Sequence, residues 1–230
     1  MHHSVLITGA NRGIGLALTR VYLEAGSDVI ACCRHPYDAK ELQSLLDEHE
    51  GLEVFELDVT SAESIAALAE DLVGRPLNLI INNAGVYGPN GVCIGNTPAA
   101  EWLKVFEVNS IAPMKMVEAL LPNLMAARGT VANMSSKMGS MADNDSGRAY
   151  IYRSSKAALN AVTKSLAIDL TDKGIIAVAL HPGWVQTEMG GPNAPLESKA
   201  SAAGLKRLLD GLSLVDSGGF YDFQGNKVPW

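Results

Sequence analysis

The sequence predicts an α/β fold: one domain built on a doubly wound, mostly parallel sheet of seven strands with helices on both faces. Three observations predict it. Short apolar runs alternate with amphipathic helical patterns from end to end, the order that parallel strands and right-handed crossovers require. Most strand candidates are near-continuous apolar runs, as expected where helices cover both faces of a sheet. The first run, Val5-Leu6-Ile7, opens into Thr8-Gly9-Ala10-Asn11-Arg12-Gly13-Ile14-Gly15 and then into a segment apolar at helical spacing.

Taken in order, the strands are expected over 4–8, 28–33, 52–57, 77–82, 129–135 and 175–180, with a short last one near 219–221. Helical patterns fill the spaces between them, over 13–25, 37–49, 62–72, 99–127, 149–171 and 198–209. No Pro/Ser-rich linker cuts the chain, so a single domain over 1–230 uses all of it. Segment 87–96, rich in Gly, reads as a surface loop. Segment 184–200, with Gly190, Gly191, Pro192 and Pro195, reads as a substrate loop or mobile lid.

Bulk properties narrow the function classes. At 230 residues, 47% hydrophobic and 19% charged, the chain is ample for a globular core. A net charge of −7 argues against a nucleic-acid partner bound through a basic surface. No apolar run approaches the roughly 18 residues that span a bilayer, and Met1-His2-His3-Ser4 runs straight into the first strand, so no membrane partner and a cytoplasmic location are expected. Cys32, Cys33 and Cys93 form no C-x-x-C pair and the histidines lie scattered; neither a disulfide framework nor a metal site is expected.

In doubly wound sheets, ligands bind beyond the C-terminal strand ends. After the first strand come the glycines, where backbone N–H groups and the positive end of a helix dipole suit a pyrophosphate. Gly9, Asn11, Arg12, Gly13, Ile14 and Gly15 are the candidates there. Gly9 allows the turn, Gly13 the close approach of phosphate, and Gly15 close packing of helix on strand. After the second strand stands Cys33-Arg34, where a protein preferring NAD places an acid for the ribose 2′-hydroxyl. Arg34 and Arg12 instead suit a 2′-phosphate, favouring NADP(H) over NAD(H). After the third strand, Asp58-Val59 offers a carboxylate to an adenine amino group, or a simple turn aspartate. After the fourth, Asn82-Asn83-Ala84-Gly85 is small and amide-rich, suited to backbone beside a ribose, with Asn83, Ala84 and Gly85 the cofactor candidates.

Tyr152-Arg-Ser-Ser-Lys156 sets a phenol and an ammonium at i and i+4 of one helix. A phenol with pKa about 10 is a poor acid or base near neutrality, and a neighbouring cation is expected to lower that value. Tyr150 has only Ser154 at i+4. The fifth strand ends in Asn133-Met-Ser135-Ser136, which brings a hydroxyl to the same rim.

Thr8-Gly9…Gly13-Ile-Gly15, Asn82-Asn83-Ala84-Gly85, Asn109, Ser136, Tyr152-x-x-x-Lys156 and Pro182-Gly183 together resemble the short-chain dehydrogenase/reductase family, in its order and spacing over nearly the whole chain. The resemblance implies a Rossmann fold and hydride transfer between NADP(H) and a carbonyl or alcohol. It makes Tyr152 the general acid/base. It has Lys156 lower the Tyr152 pKa and bind the nicotinamide ribose, and Ser136, with Ser135 as neighbouring alternative, polarise the carbonyl. It gives Asn109 a water that links Lys156 to solvent, and it places Pro182, Gly183, Val185 and Thr187 against the nicotinamide carboxamide. Pro182-Gly-Trp-Val-x-Thr-x-Met-Gly-Gly191 and the tail from Gly218 to Val228-Pro-Trp230 resemble the C-factor/sniffer-like carbonyl reductases within that family. That subgroup also shares a longer gap between Ser136 and Tyr152, with the extra residues around 142–148 expected as a loop. The C-factor likeness carries a second reading, an NADP-binding signalling protein with little turnover. Trp184, Met189, Met138, Met141 and Tyr87 near the mouth suggest an apolar or aromatic carbonyl substrate. Family habit implies a homodimer or homotetramer through the helices at 99–127 and 149–171.

Overall fold

The computed structural model describes residues 4–230. Seven strands form one sheet in the order β3-β2-β1-β4-β5-β6-β7: β1 (Ser4–Thr8), β2 (Asp28–Cys33), β3 (Leu52–Glu56), β4 (Leu79–Asn82), β5 (Thr130–Met134), β6 (Ile176–His181) and β7 (Phe220–Asp222). All six pairings are parallel. The order reverses between β1 and β4, and there the doubly wound architecture opens a crevice at the carboxyl ends of the strands.

Successive strand side chains point to opposite faces, and both faces are covered. Val5 and Ile7 of β1 join the cluster under α1 (Gly13–Glu24), α2 (Lys40–Glu48) and α8 (Ser198–Asp210). Leu6, between them, joins the opposite cluster under α3 (Ala62–Asp71), α5 (Ala112–Ala119), α6 (Leu121–Ala127) and α7 (Tyr150–Leu170). That two-sided burial is why the strands read as unbroken apolar runs.

The helix expected over 99–127 is interrupted. α4 (Ala99–Phe106) passes into one wide π turn, Glu107–Ile111, before α5, and α6 starts afresh at Leu121. Pro113 and Pro122 occupy the first turns of α5 and α6, where a missing N–H is tolerated. The segment expected as a helix from residue 37 begins as the 3₁₀ turn Pro36–Asp38 and becomes α-helical only at Lys40. Leu77, expected in the fourth strand, donates its N–H to the Asn123 carbonyl at 3.1 Å and precedes the ladder.

A buried amide ladder crosses the sheet behind the crevice. Asn82 Nδ2 of β4 donates to Asn133 Oδ1 of β5 at 2.9 Å, and Asn133 Nδ2 donates to Thr163 Oγ1 of α7 at 2.9 Å. Thr163 Oγ1 in turn donates to the Leu159 carbonyl at 2.7 Å. Asn133 and Thr163 are fully enclosed, so truncating either leaves a polar partner without solvent. Asn133→Ala is expected to lower the unfolding free energy by about 2–4 kcal/mol. A urea titration reads this as a lower midpoint at unchanged slope.

Candidate active site

The glycine turn is built for close approach. A Cβ on Gly15 would lie 2.2 Å from the Gly9 carbonyl oxygen and 2.6 Å from Asn83 Nδ2, so only glycine fits. Gly9 and Gly13 hold positive φ of 65° and 55°, a region that glycine enters without penalty. No side chain caps α1, and its first backbone bond runs from Leu16 N–H to the Arg12 carbonyl. The amides of Gly13, Ile14 and Gly15 therefore head the helix as donors for an anion.

Asn83 fastens this turn to β4. Its Nδ2 donates to the carbonyls of Thr8 at 2.9 Å and Gly9 at 3.1 Å, while the N–H groups of Asn83 and Ala84 both donate to Thr8 Oγ1 at 3.0 Å. The Asn83 side chain is thus a brace for the phosphate turn, and Ala84 and Gly85 present backbone to the crevice. Asp58 Oδ1 accepts from Thr60 N–H at 2.9 Å and Thr60 Oγ1 at 2.7 Å. These bonds, with Arg34 nearby, hold its carboxyl below the usual range, so the turn role foreseen for it is present. Val59 packs against the apolar cluster beneath α3. Arg12 and Arg34 are both exposed, and Arg12 pairs with Glu188.

The catalytic candidates converge on α7. Tyr152 and Lys156 share its buried face with Ser155 and Leu159. The Lys156 Nζ lies 5.8 Å from the centre of the Tyr152 ring and donates to the Met134 carbonyl, at the end of β5, at 2.7 Å. Burial pushes the Lys156 ammonium down to about 8. Burial also pushes the Tyr152 phenol up to about 12, against a lowering hydrogen bond with Ser136 and with a further rise from Tyr87. Burial is the largest influence on both groups, and it moves each toward its neutral form.

The two serines separate by partner. Ser135 Oγ donates to Asn160 Oδ1 at 2.6 Å inside the α7 contact, so Ser135 is structural. Ser136 lowers the Tyr152 phenol's pKa, and its Oγ accepts from Met138 N–H at 3.2 Å. Asn109 sits in the π turn, fully buried. Its Oδ1 accepts from Val86 N–H at 2.9 Å, and its Nδ2 donates to the Val86 carbonyl at 2.8 Å and to Ser155 Oγ at 3.0 Å. Its side chain is therefore committed to bracing α7 against the loop after β4. A Cβ on Gly85 would lie 3.3 Å from Asn109 Oδ1 and 3.4 Å from Lys156 Nζ, which puts Gly85 at the centre of this group.

Pro182 is buried, and Gly183 takes φ 88° to turn the chain out of β6. Val185 is buried, and Thr187 Oγ1 accepts from Gly190 N–H at 3.0 Å. Gly13 and Thr187 come so near that a Cβ on Gly13 would lie 3.2 Å from Thr187 Cγ2, so this loop roots beside the phosphate turn. The loop is knit internally: Trp184 Nε1 donates to the Gly190 carbonyl at 2.8 Å, and Gln186 N–H to the Leu196 carbonyl at 2.8 Å.

Asn133, Asn160, Thr163 and Ser155 support the site and were missed in the sequence. An asparagine inside an apolar strand run, as at 133, was the available signal, because unpaired amides are rarely buried. No group of three His, Cys, Asp or Glu able to hold a metal occurs among the described residues, and no helix among them is long and apolar enough to cross a membrane.

Comparison with known proteins agrees with this geometry. Residues 3–197 match the family model described as short chain dehydrogenase. The chain is 44% identical over 165 residues to C-signal of Myxococcus xanthus, a match covering 71% of this chain and 99% of that protein. Its structure superposes on the carbonyl reductase Sniffer of D. melanogaster with TM-score 0.95 and 34% identity, covering 100% of both chains. On the NADPH-bound carbonyl reductase from chicken fatty liver the TM-score is 0.93 at 38% identity, covering 100% and 99% of the two chains. The chain belongs to the short-chain dehydrogenase family and is an NADP(H)-dependent oxidoreductase of that family.

Proposed function

We propose that the protein is a carbonyl reductase for apolar or aromatic substrates, with Tyr152 as proton donor and Ser136 as its partner on the carbonyl oxygen. The carrying observation is the convergence of three groups: the Tyr152 phenol, whose pKa Ser136 lowers against the effect of burial, and the buried Lys156 one turn along the same helix. Bound NADPH supplies the hydride. Its pyrophosphate would fit the uncapped start of α1, in a turn that Gly15 lets close against Gly9 and Asn83. Arg12 and Arg34 suit the 2′-phosphate, Arg12 by exchanging Glu188 for it, while Asp58 and Val59 border the adenine. Ala84 and Gly85 would hold the ribose, and Pro182, Gly183, Val185 and Thr187 the carboxamide.

Ser136 and Tyr152 donate to the substrate oxygen and hold it as it gains negative charge, so the donors are oriented before the reaction begins. When the carbonyl carbon has accepted the hydride, Tyr152 gives its proton to the oxygen, and the alcohol is complete. Lys156, charged below about pH 8, stabilises the phenolate that remains. Asn109 keeps Lys156 and Tyr152 in register through Ser155. Tyr87 stacks 4.7 Å from the Tyr152 ring and supplies an aromatic wall. The intact donor set supports turnover over the signalling reading, which requires no proton donor. Assembly through the exposed faces of α4, α5 and α7 is the oligomeric expectation.

NADPH oxidation against a panel of aldehydes, ketones and quinones tests the assignment. Tyr152→Phe should lose about 10²- to 10⁴-fold in kcat with NADPH affinity kept. Undiminished turnover in that variant would overturn it. The pH profile has a defined sign. Lys156 loses its charge as pH rises through about 8, so reductive kcat/KM should fall on the alkaline side. Alcohol oxidation needs the phenolate and should climb with pH; the apparent values belong to the Tyr152–Lys156 pair. Arg34→Ala should weaken NADPH about tenfold, the loss of a charge-assisted bond, and leave NADH within about twofold; isothermal titration reads both.

A further inference from the structure

The loop that joins Ser136 to Tyr152 is fastened outside the catalytic set by Asn160, whose Nδ2 donates to the Gly139 carbonyl at 3.3 Å, and at two further places. From α7, Arg153 Nε donates to the Gly147 carbonyl at 3.0 Å, Nη2 to Ser146 Oγ at 2.8 Å and Nη1 to the Met138 carbonyl at 3.3 Å. From the segment after β7, the main-chain oxygen of Trp230 accepts from Met141 N–H at 2.8 Å, Ala142 N–H at 3.0 Å and Ser140 Oγ at 3.1 Å. Trp230 is itself seated. Its ring stacks 5.4 Å from that of Phe220 on β7, and Val228 N–H donates to the Phe220 carbonyl at 2.8 Å. The tail therefore runs back along β7 and ends on the loop.

Between these fastenings the backbone is not at rest by its own preference. Gly147, Arg148 and Ala149 hold φ of 63°, 55° and 45° in succession, a left-handed run that residues with a Cβ keep only when their surroundings hold them. The near end of the loop is pressed onto the catalytic helix: a Cβ on Gly139 would lie 2.8 Å from Lys156 Cβ. The loop is short of apolar contacts of its own, with every residue from Met141 to Arg148 exposed. Lys137 pairs with Asp143 at 3.1 Å within the loop, and over residues 141–148 the fastenings to the rest of the molecule come from Arg153 and Trp230.

We propose that Trp230, acting with Arg153, is a positioning and specificity-determining residue: it holds the Ser136–Tyr152 loop as a fixed wall against which bulky carbonyl compounds are seated. This rests on the carbonyl reductase reading. A large aromatic ketone draws part of its binding from the wall, whereas a small aldehyde reaches Ser136 and Tyr152 without touching it. Loosening the wall therefore acts on KM for large substrates and spares kcat for small ones.

The test compares wild type with Trp230→Ala, Trp230→Phe and Ser140→Ala, using a bulky aromatic ketone and a short aldehyde. NADPH affinity and backbone hydrogen exchange are followed in parallel. For Trp230→Ala the expected result is a rise of about tenfold in KM for the ketone. The aldehyde kcat and NADPH affinity should stay within about twofold, with faster exchange over residues 138–147. Trp230→Phe keeps the stack on Phe220 and should restore most of the loss, and Ser140→Ala should give a smaller shift of the same kind. Unchanged exchange across that loop, or an equal loss on both substrates together with weaker NADPH binding, would overturn the proposal. Wild-type protein idle toward the whole panel would overturn the reductase reading instead, and the exchange measurement still judges the fastening by itself.

Discussion

α7 lies against the end of β5 with Ser155, Lys156, Asn160 and Thr163 all buried at the contact. A helix carries so many polar groups into a core only when each finds a partner there, since an unpaired one forfeits its hydration without return. Here Thr163 answers Asn133, Asn160 answers Ser135, Ser155 answers Asn109, and the Lys156 ammonium answers the Met134 carbonyl. The rest of the structure depends on this seam. It fixes how far Tyr152 stands from Ser136, and through Asn109 it draws in the loop after β4 that completes the crevice.

The same burial sets the chemistry. Enclosing a phenol and an ammonium side by side disfavours both charged forms, so Tyr152 keeps its proton and Lys156 sits near the edge of its charged range. Ser136 acts against this rise at the phenol, whereas desolvation is the one cause acting on the ammonium. In the proposed reduction, desolvation and ion pairing, usually discussed as rivals, act at successive moments: burial keeps the proton in place beforehand, and the cation steadies what is left afterwards.

Much of this was legible in the residues. The parallel sheet, its strand ends, the glycine turn and the Tyr152–Lys156 pair follow from periodicity and spacing, because those patterns are local. Other features were hidden for physical reasons. The break in the helix after Phe106 turns on one extra residue per turn, which leaves no compositional mark. The roles of Ser135 and Ser136 differ only by which side of a strand end each faces, and Asn160 settles that from twenty-five positions away. Asn83 reads as backbone beside a ribose from its place in the chain, and the second task of its side-chain amide, holding the backbone of the phosphate turn, leaves no local mark. The contact of Trp230 with Ser140 joins segments separated by 90 positions, and no local pattern announces it.

The π turn at Glu107–Ile111 has a consequence for how this chain tolerates change in length. An α-helix advances by about 100° per residue, and the wide turn carries one residue more than a regular one would. Deleting a single residue there would leave a smoother helix with better backbone geometry. It would also swing everything before the cut by more than a quarter of a circle relative to everything after it. Asn109 would then lose either Val86 or Ser155, because it meets both only from the bulged arc. The most regular version of this helix is thus the one the crevice cannot use, and local disorder in its winding is what keeps the two sides of the molecule in phase.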